Sequence, residues 1–310
     1  MTVRTFIISL CCAVLSGVSF SDAAPQLGSP ALRNALDVTY NTWRLHMMRG
    51  NYEGWQSLTS SYRQMKVRNL AVSEKRPFPA SLFRQPMAPP ALAPLMFVGA
   101  LIDGPTAAAT YYGKIDLGLG VEPKESNALV LLFTYERGKW CYDQARFFNL
   151  SKLNSVKERL QRGDSSVLLE QDGFHPQGVI PPTPKACNAP QYIAKILVDC
   201  PGRLVKAKIN GISDHEFDNT RQAEVISGGL HMGMNSMYIT FEDSPTKEQK
   251  GALLVEIYIM PETPGNLPAR AVHYYVPVDK LPQSGNVNIN ITPELLKTMI
   301  PVKSTPAKKK

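Results

Sequence analysis

Two stripes of apolar residues predict two helices near the start of the chain. Each stripe recurs every three or four residues, which is the spacing of one buried helix face. The first consists of Leu32, Leu36, Tyr40, Trp43 and Met47, and the second of Trp55, Leu58, Tyr62 and Met65. Ser29 and Pro30 are typical of a helix start, Gly50 is typical of a helix end, and Asn51 can cap the second helix. The sequence therefore predicts a long helix followed directly by a second one.

The pattern changes from helices to strands after a proline-rich stretch at residues 77–94. Residues 106–117 are rich in Ala, Thr and Tyr, and residues 128–135 form an apolar run. An Arg-Gly-Lys turn joins that run to a partner strand at residues 140–148. Helices followed by a long hairpin predict an α+β fold, with the helices packed on one face of the sheet.

Residues 191–300 alternate apolar and polar positions with the period of two that is typical of strands. Clear examples of the apolar positions are Val205, Ala207, Ile209, Val287, Ile289 and Ile291. Turn signals separate about seven such strands, which predicts an all-β sandwich that resembles the immunoglobulin-like type. The Cys and Trp hallmark of antibody domains is absent from this half, so the pattern predicts the architecture alone.

The sequence divides into two predicted domains. A chain of 310 residues is long enough for two domains of roughly 100–200 residues each. We predict an N-terminal α+β domain at residues 27–160, whose last helix carries an apolar stripe and ends at Gly163. A proline-rich linker at residues 161–190 is expected to act as a semi-rigid spacer. The β-sandwich at residues 191–300 then precedes a flexible basic tail at residues 301–310.

The first 23 residues have the layout of a secretory signal peptide. Arg4 is a positive n-region, residues 6–18 are a short apolar run, and Ser21 and Ala23 are small residues before the expected cut after Ala23. The apolar run is too short for a membrane span of about 20 residues. We therefore predict an exported protein, periplasmic or secreted, with no transmembrane anchor after signal cleavage.

The formal net charge of +8 is spread along the chain. A diffuse excess of this kind favours solubility and does not define a nucleic-acid site, so no nucleic-acid partner is predicted. Three cysteines remain after the predicted cleavage. An oxidising compartment permits a disulfide between Cys187 and Cys200, whereas Cys141, in an apolar strand, is expected to be a buried thiol.

The N-terminal half resembles the nuclear transport factor 2-like superfamily, which includes ketosteroid isomerase. The resemblance is carried by residues 50–55, which follow a Trp-bearing helix, and by the hairpin at residues 131–140. It implies a cystatin-like α+β roll, a cone of bent antiparallel sheet wrapped by helices with a pocket at its open end. It also implies that polar residues inside the cone line that pocket, and the candidates are Tyr111, Tyr112, Asp116, Tyr142 and Asp143. None of these aligns with a catalytic position, and no catalytic residue is assigned.

No metal site or cofactor is predicted. The segment at residues 214–218 contains three acidic residues and His215, which are metal-ligand types, but neither it nor His231 shows a diagnostic spacing. A solvated acidic loop is the preferred interpretation. The sequence also lacks GxSxG, HExxH and a Gly-rich phosphate loop.

Three functional hypotheses follow. The first is a non-catalytic binding or scaffold protein of the cell envelope, with a small ligand or peptide in the cone and an envelope or extracellular protein partner on the sandwich. The second is an isomerase or lyase that uses the cone pocket, which requires a Tyr or Asp of perturbed pKa deep in the cone. The third is an adhesion or pilus-associated component, which requires an unpaired edge strand or a large apolar patch.

Overall fold

The computed structural model of the chain describes residues 24–84, 88–116, 118, 125–151, 153–244, 250–280 and 282–299. The predicted signal peptide and basic tail lie outside these residues. The described chain has few helices and three antiparallel sheets of four or five strands, in line with the predicted mixture of an α+β part and an all-β part. Within the described residues, none of the helices combines the length and the apolar character needed to cross a membrane.

Three helices follow the short first strand: α1 (Pro30–Arg49), α2 (Tyr52–Leu58) and α3 (Ser61–Ser73). The prediction for α1 is confirmed, because the Ser29 hydroxyl accepts a hydrogen bond from the Leu32 N–H and Gly50 ends the helix with φ 65°. The prediction of one second helix is wrong. Thr59 is extended and bridges to Tyr142, and Ser60 then caps a new helix, so α2 and α3 are separate.

A five-stranded antiparallel sheet follows, in the order β1-β2-β3-β4-β5. Its strands are β1 (Gln26–Leu27), β2 (Met96–Asp103), β3 (Thr106–Gly113), β4 (Asn127–Glu136) and β5 (Lys139–Phe148). The last three correspond to the predicted strands, and β4 with β5 forms the predicted hairpin. Strand β2 directly follows the proline-rich stretch and was not predicted.

Helices cover both faces of this sheet, not one. On the first face, α1 and α2 bury their stripes in a core that includes Leu36, Tyr40 and Trp55. On the second face lie α4 (Asn154–Gln161) and α5 (Val167–Glu170). The buried residues Val167, Leu168 and Phe174 belong to that second core. The start of the predicted linker therefore packs on the sheet and is not a free spacer, because its apolar side chains are needed to cover the second face.

Two four-stranded sheets make up the rest of the chain, in the orders β13-β10-β7-β8 and β12-β11-β6-β9. The strands are β6 (Ala194–Asp199), β7 (Arg203–Ile209), β8 (Ser213–Asp218), β9 (Arg221–Val225), β10 (Gly233–Asp243), β11 (Leu253–Ile259), β12 (Ala269–Val276) and β13 (Gly285–Ile291). Inward residues of both sheets form one hydrophobic core, and the short helix α6 (Pro293–Leu296) packs beside it. We call residues 192–299 the two-sheet region.

The prediction of an acidic loop at residues 214–218 is wrong, because this segment belongs to strand β8. Ser213, His215 and Phe217 are buried in it, whereas the three acidic residues between and after them are exposed. Alternation with a period of two is therefore complete over β8, although two of its three inward residues are polar.

Candidate functional site

Helix α3 contacts both halves of the chain, and two carboxylates fix its first turn. Glu136, at the end of β4, accepts hydrogen bonds from the Ser61 backbone N–H at 3.1 Å and from the Ser61 hydroxyl at 2.6 Å. Asp143, in β5, accepts one from the Ser60 hydroxyl. Negative charge near the N-terminus of a helix also interacts favourably with the helix dipole. The β4–β5 hairpin thus sets the position of α3.

Lowering the pH is expected to weaken this attachment. Burial by itself raises the pKa of Glu136, but hydrogen bonds from Ser61 and Thr134 outweigh it and hold the pKa below its usual 4.5. A carboxylate with a lowered folded-state pKa contributes stability above its unfolded-state pKa, and this contribution is lost as the pH falls through the folded-state value. We expect Glu136→Gln to lower the thermal unfolding midpoint at neutral pH and to make it less sensitive to pH below 4.5.

The check is thermal unfolding followed by circular dichroism across that pH range. Glu158→Gln, on the exposed surface of α4, is the matched control, since it removes one carboxylate without removing a described hydrogen bond. Equal pH profiles for Glu136→Gln and the unmodified chain would show that Glu136 does not anchor α3.

The other end of α3 is bonded to the segment before β6. The buried Asn69 side chain donates to the Lys185 carbonyl at 2.8 Å and accepts from the Cys187 N–H at 3.1 Å. The Ser73 hydroxyl, also buried, accepts from the Gly228 N–H at 2.8 Å and donates to the Asn69 carbonyl at 2.6 Å. These bonds satisfy the buried Cys187 N–H, and the bond from Gly228 to Ser73 places α3 in direct polar contact with the two-sheet region.

The predicted disulfide between Cys187 and Cys200 is not formed in this structure, where Cys141, Cys187 and Cys200 are all free and buried thiols. The Cys187 sulfur faces α3, 3.5 Å from the Ser73 hydroxyl oxygen. The Cys200 sulfur instead lies in the core of the two-sheet region, 3.4 Å from the Thr220 carbonyl oxygen. The sulfurs of Cys187 and Cys200 therefore contact different groups in different parts of the structure. Cys141 is buried as predicted.

A groove of about 530 Å³ runs between α3 and the outer face of the sheet β13-β10-β7-β8. We call it the α3 groove. A neighbouring cavity of about 420 Å³ extends it toward the proline-rich segment at residues 181–185. Both are lined by Tyr62 and Lys66 from α3 and by Lys208 and Asp214 from the sheet. The joint between α3 and the two-sheet region therefore builds a polar cleft.

The charges around the α3 groove are balanced. Its cations are Lys66, Lys206 and Lys208, and its carboxylates are Asp214, Glu216 and Glu224. The Lys208 ammonium lies 3.0 Å from an Asp214 oxygen. The Lys66 ammonium lies 5.3 Å from the ring centroid of Tyr62, within the range of a cation–π contact. Donors, acceptors and aromatic surface alternate over a short distance, without an excess of either charge.

A chain of three hydrogen-bonded polar side chains runs from the buried Ser213 and His215 to Glu224, which is partly exposed and lines the α3 groove. His215 Nδ1 is 2.7 Å from Glu224 Oε2, and His215 Nε2 is 2.7 Å from Ser213 Oγ. Because a carboxylate only accepts, Nδ1 carries a hydrogen, and Nε2 of a neutral imidazole then accepts from the Ser213 hydroxyl. We call this chain the Ser213–His215–Glu224 relay. It connects β8 of one sheet to β9 of the other.

The relay has the order of a nucleophile, base and acid, but its serine is inaccessible. Ser213 is 1% exposed, and its Oγ also accepts the Ser227 backbone N–H at 2.7 Å. A nucleophilic hydroxyl has to reach its substrate, whereas this one is enclosed by the protein's own donors. The relay is therefore a polar strut that joins the two sheets at one edge.

The predicted pocket residues do not converge on one point. Tyr111 and Tyr142 lie in the core under α1, where the Tyr111 hydroxyl donates to Asp37 and the Tyr142 ring is 4.0 Å from that of Trp43. Tyr112 lies on the opposite face of the sheet. Adjacent residues of a strand point to opposite faces, so Tyr111 and Tyr112 cannot line one cavity.

The two predicted aspartates are placed separately from these tyrosines. Asp116 is exposed after the end of β3 and accepts the Gly118 N–H at 2.7 Å. Asp143 is buried against the N-terminus of α3. Burial raises the pKa of Asp143 despite the Ser60 hydrogen bond, and burial is also the main cause of the raised pKa values of Tyr111 and Tyr142. The three shifts thus follow mainly from burial, in the core under α1 for the two tyrosines and at the start of α3 for Asp143.

The described residues contain no group of three or more His, Cys, Asp or Glu side chains placed to hold a metal ion. Protein-family models, curated proteins and solved structures were compared with this chain, and none of them matches it. The α3 groove and the relay beneath it are therefore interpreted from their own geometry.

Proposed function

We propose that this chain is an exported, non-catalytic binding protein of the cell envelope, and that the α3 groove holds an uncharged saccharide. In this proposal, the N-terminal part is a nuclear transport factor 2-like α+β domain and the C-terminal part an immunoglobulin-like sandwich. Export rests on the signal-peptide layout of residues 1–23. The binding site is placed at the joint between the halves and not inside the cone.

The observation that carries the proposal is the composition of the groove. Three cations face three carboxylates, so neither a phosphate-bearing nor a strongly cationic ligand is favoured. Sugar hydroxyls both donate and accept hydrogen bonds, and they match lysine donors and carboxylate acceptors that lie side by side. Tyr62 and Tyr238 add aromatic surface, on which the C–H face of a sugar ring can pack.

Isothermal titration calorimetry with three neutral tetrasaccharides (chitotetraose, cellotetraose and maltotetraose) tests the proposal. At least one of them is expected to bind the mature chain. Tyr62→Ala and Tyr238→Ala are each expected to weaken that binding about two- to tenfold, because a buried aromatic contact contributes about 0.5–1.5 kcal/mol.

Tyr275→Ala is the matched control for Tyr238→Ala. Tyr275 is 56% exposed and Tyr238 51% exposed, but Tyr275 lies on β12 and does not line the groove. Failure of all three saccharides to bind, or equal weakening by Tyr275→Ala, would rule out the proposed site.

A further inference from the structure

The two-sheet region ends in four edge strands, and three of them carry features that discourage pairing with another chain. Natural edges are blunted by charge, bulges, short length or a covering element. Strand β8 has outward Asp214, Glu216 and Asp218 and lies beside the α3 groove. Strand β9 has only five residues and an exposed Arg221. Strand β12 carries Arg270, and its pairing with β11 is interrupted by a register shift.

The fourth edge, β13, is blunted neither by charge, nor by a bulge, nor by short length. Its sequence GNVNINI contains no charged residue and no proline. Its pairing with β10 runs without a shift from Gly233 opposite Ile291 to Ile239 opposite Gly285. Among the described residues, no strand pairs with its other side. Strand β13 is thus a regular, uncharged edge of seven residues.

Such an edge is a template for a further strand. Its inward residues Ile289 and Ile291 are held in the core at 0% and 1% exposure, so the strand cannot slip or twist away. A segment of six or seven residues with low charge and no proline pairs readily with its own kind, and stacked Asn side chains add to this pairing. Charges are present on the other three edges and absent here, which marks β13 as the edge built to be paired.

We propose that β13 pairs antiparallel with β13 of a second copy of this chain, about a two-fold axis at Asn288. This register places Asn288 opposite itself and Asn286 opposite Asn290 of the second copy. On the inner face it places Val287 opposite Ile289. Amide side chains donate and accept equally, and β-branched pairs pack well across strands, so the strand is complementary to itself.

The pairing joins two four-stranded sheets into one continuous sheet of eight strands. It uses the free side of β13, and no residue of β13 lines the α3 groove, which reaches across β8 and β7 only as far as Tyr238 and Thr240 on β10. Two copies can therefore pair whether or not a saccharide binds, and the two proposals fail independently.

Sedimentation velocity of the mature chain over a concentration series tests the pairing. We expect a reversible dimer, and we expect Asn288→Lys to raise its dissociation constant about fivefold, because like charges placed directly opposite each other are destabilising. Ser236→Lys is the matched control, since Ser236 is the neighbour of Asn288 on β10 and is also exposed on the same face. It should leave the dimer unchanged.

Cross-linking gives the register directly. Asn288→Cys is expected to form a disulfide-linked dimer on mild oxidation, whereas Ser236→Cys is expected to stay monomeric under the same conditions. The three other cysteines are buried and do not interfere. A chain that sediments as a monomer at every concentration, or a dimer unaffected by Asn288→Lys, would overturn the proposal. Circular dichroism of each variant shows whether the fold is retained.

Discussion

Replacement of Asn69 with alanine is expected to lower the free energy of unfolding by about 2–4 kcal/mol. The substitution leaves the buried Cys187 N–H without its side-chain partner, which costs about 1–3 kcal/mol, and it removes the hydrogen bond to the carbonyl of the exposed residue Lys185, which contributes about 0.5–1.5 kcal/mol. Asn69 is 3% exposed, so water cannot replace the lost bonds without a local rearrangement. Urea unfolding followed by tryptophan fluorescence and circular dichroism measures the loss.

Asn69→Ala is also expected to weaken the attachment of residues 176–190 to α3. Limited proteolysis of Asn69→Ala should cleave the proline-rich segment at residues 176–190 faster than in the unmodified chain, because Asn69 bonds the backbone of that segment to α3. Leu70→Ala is the control, since Leu70 is the next residue of α3 but is 41% exposed. A loss below about 0.5 kcal/mol, which is typical of surface substitutions, would mean that the joint does not rest on Asn69.

Elements with local signals were predicted well from the sequence. Helix α1 has a serine cap, a regular stripe and a terminal glycine, and the hairpin β4–β5 has two apolar runs around a turn. The break between α2 and α3 has a different origin. It arises because Thr59 bridges to Tyr142, more than 80 residues away, and a helical stripe gives no sign of that contact.

Strand β8 shows how a correct pattern was misinterpreted. The inward positions Ser213 and His215 are polar, so the segment resembled an acidic loop, although its period was two throughout. Polar residues are tolerated inside because they satisfy one another through the relay to Glu224. The alternation was visible in the sequence, whereas the partner on β9 that makes it possible was not.

The five candidate pocket residues are not brought together, and the α3 groove lies elsewhere in the chain, for two separate reasons. That Tyr111 and Tyr112 point to opposite faces follows from strand geometry and could have been predicted from the sequence alone. The α3 groove could not have been predicted in this way. It forms where Tyr62 and Lys66 approach Tyr238, across more than 170 residues, and the hydrogen bonds of Asn69 that hold α3 there involve backbone groups with no sequence signature.

Replacement of Ser213 with alanine is the second large expected effect, and it separates a structural relay from a catalytic one. The substitution leaves the Ser227 N–H and His215 Nε2 without a partner in a site that is 1% exposed at Ser213. We expect a loss of about 1–3 kcal/mol in urea unfolding. Ser236→Ala, at an exposed serine on β10, should change stability by less than about 0.5 kcal/mol.

A fluorophosphonate probe provides the second readout for the relay, because it reacts with activated serine nucleophiles that substrates can reach. The enclosed Ser213 hydroxyl should stay unlabelled, even though its bond to His215 has the length found between a nucleophile and its base. Labelling at Ser213 would mean that β8 opens to admit a substrate, and the relay would then be a hydrolytic triad beneath the groove. A loss of stability without labelling would show that the relay has a structural role. The relay would then hold the two sheets together and thereby keep the floor of the α3 groove in place.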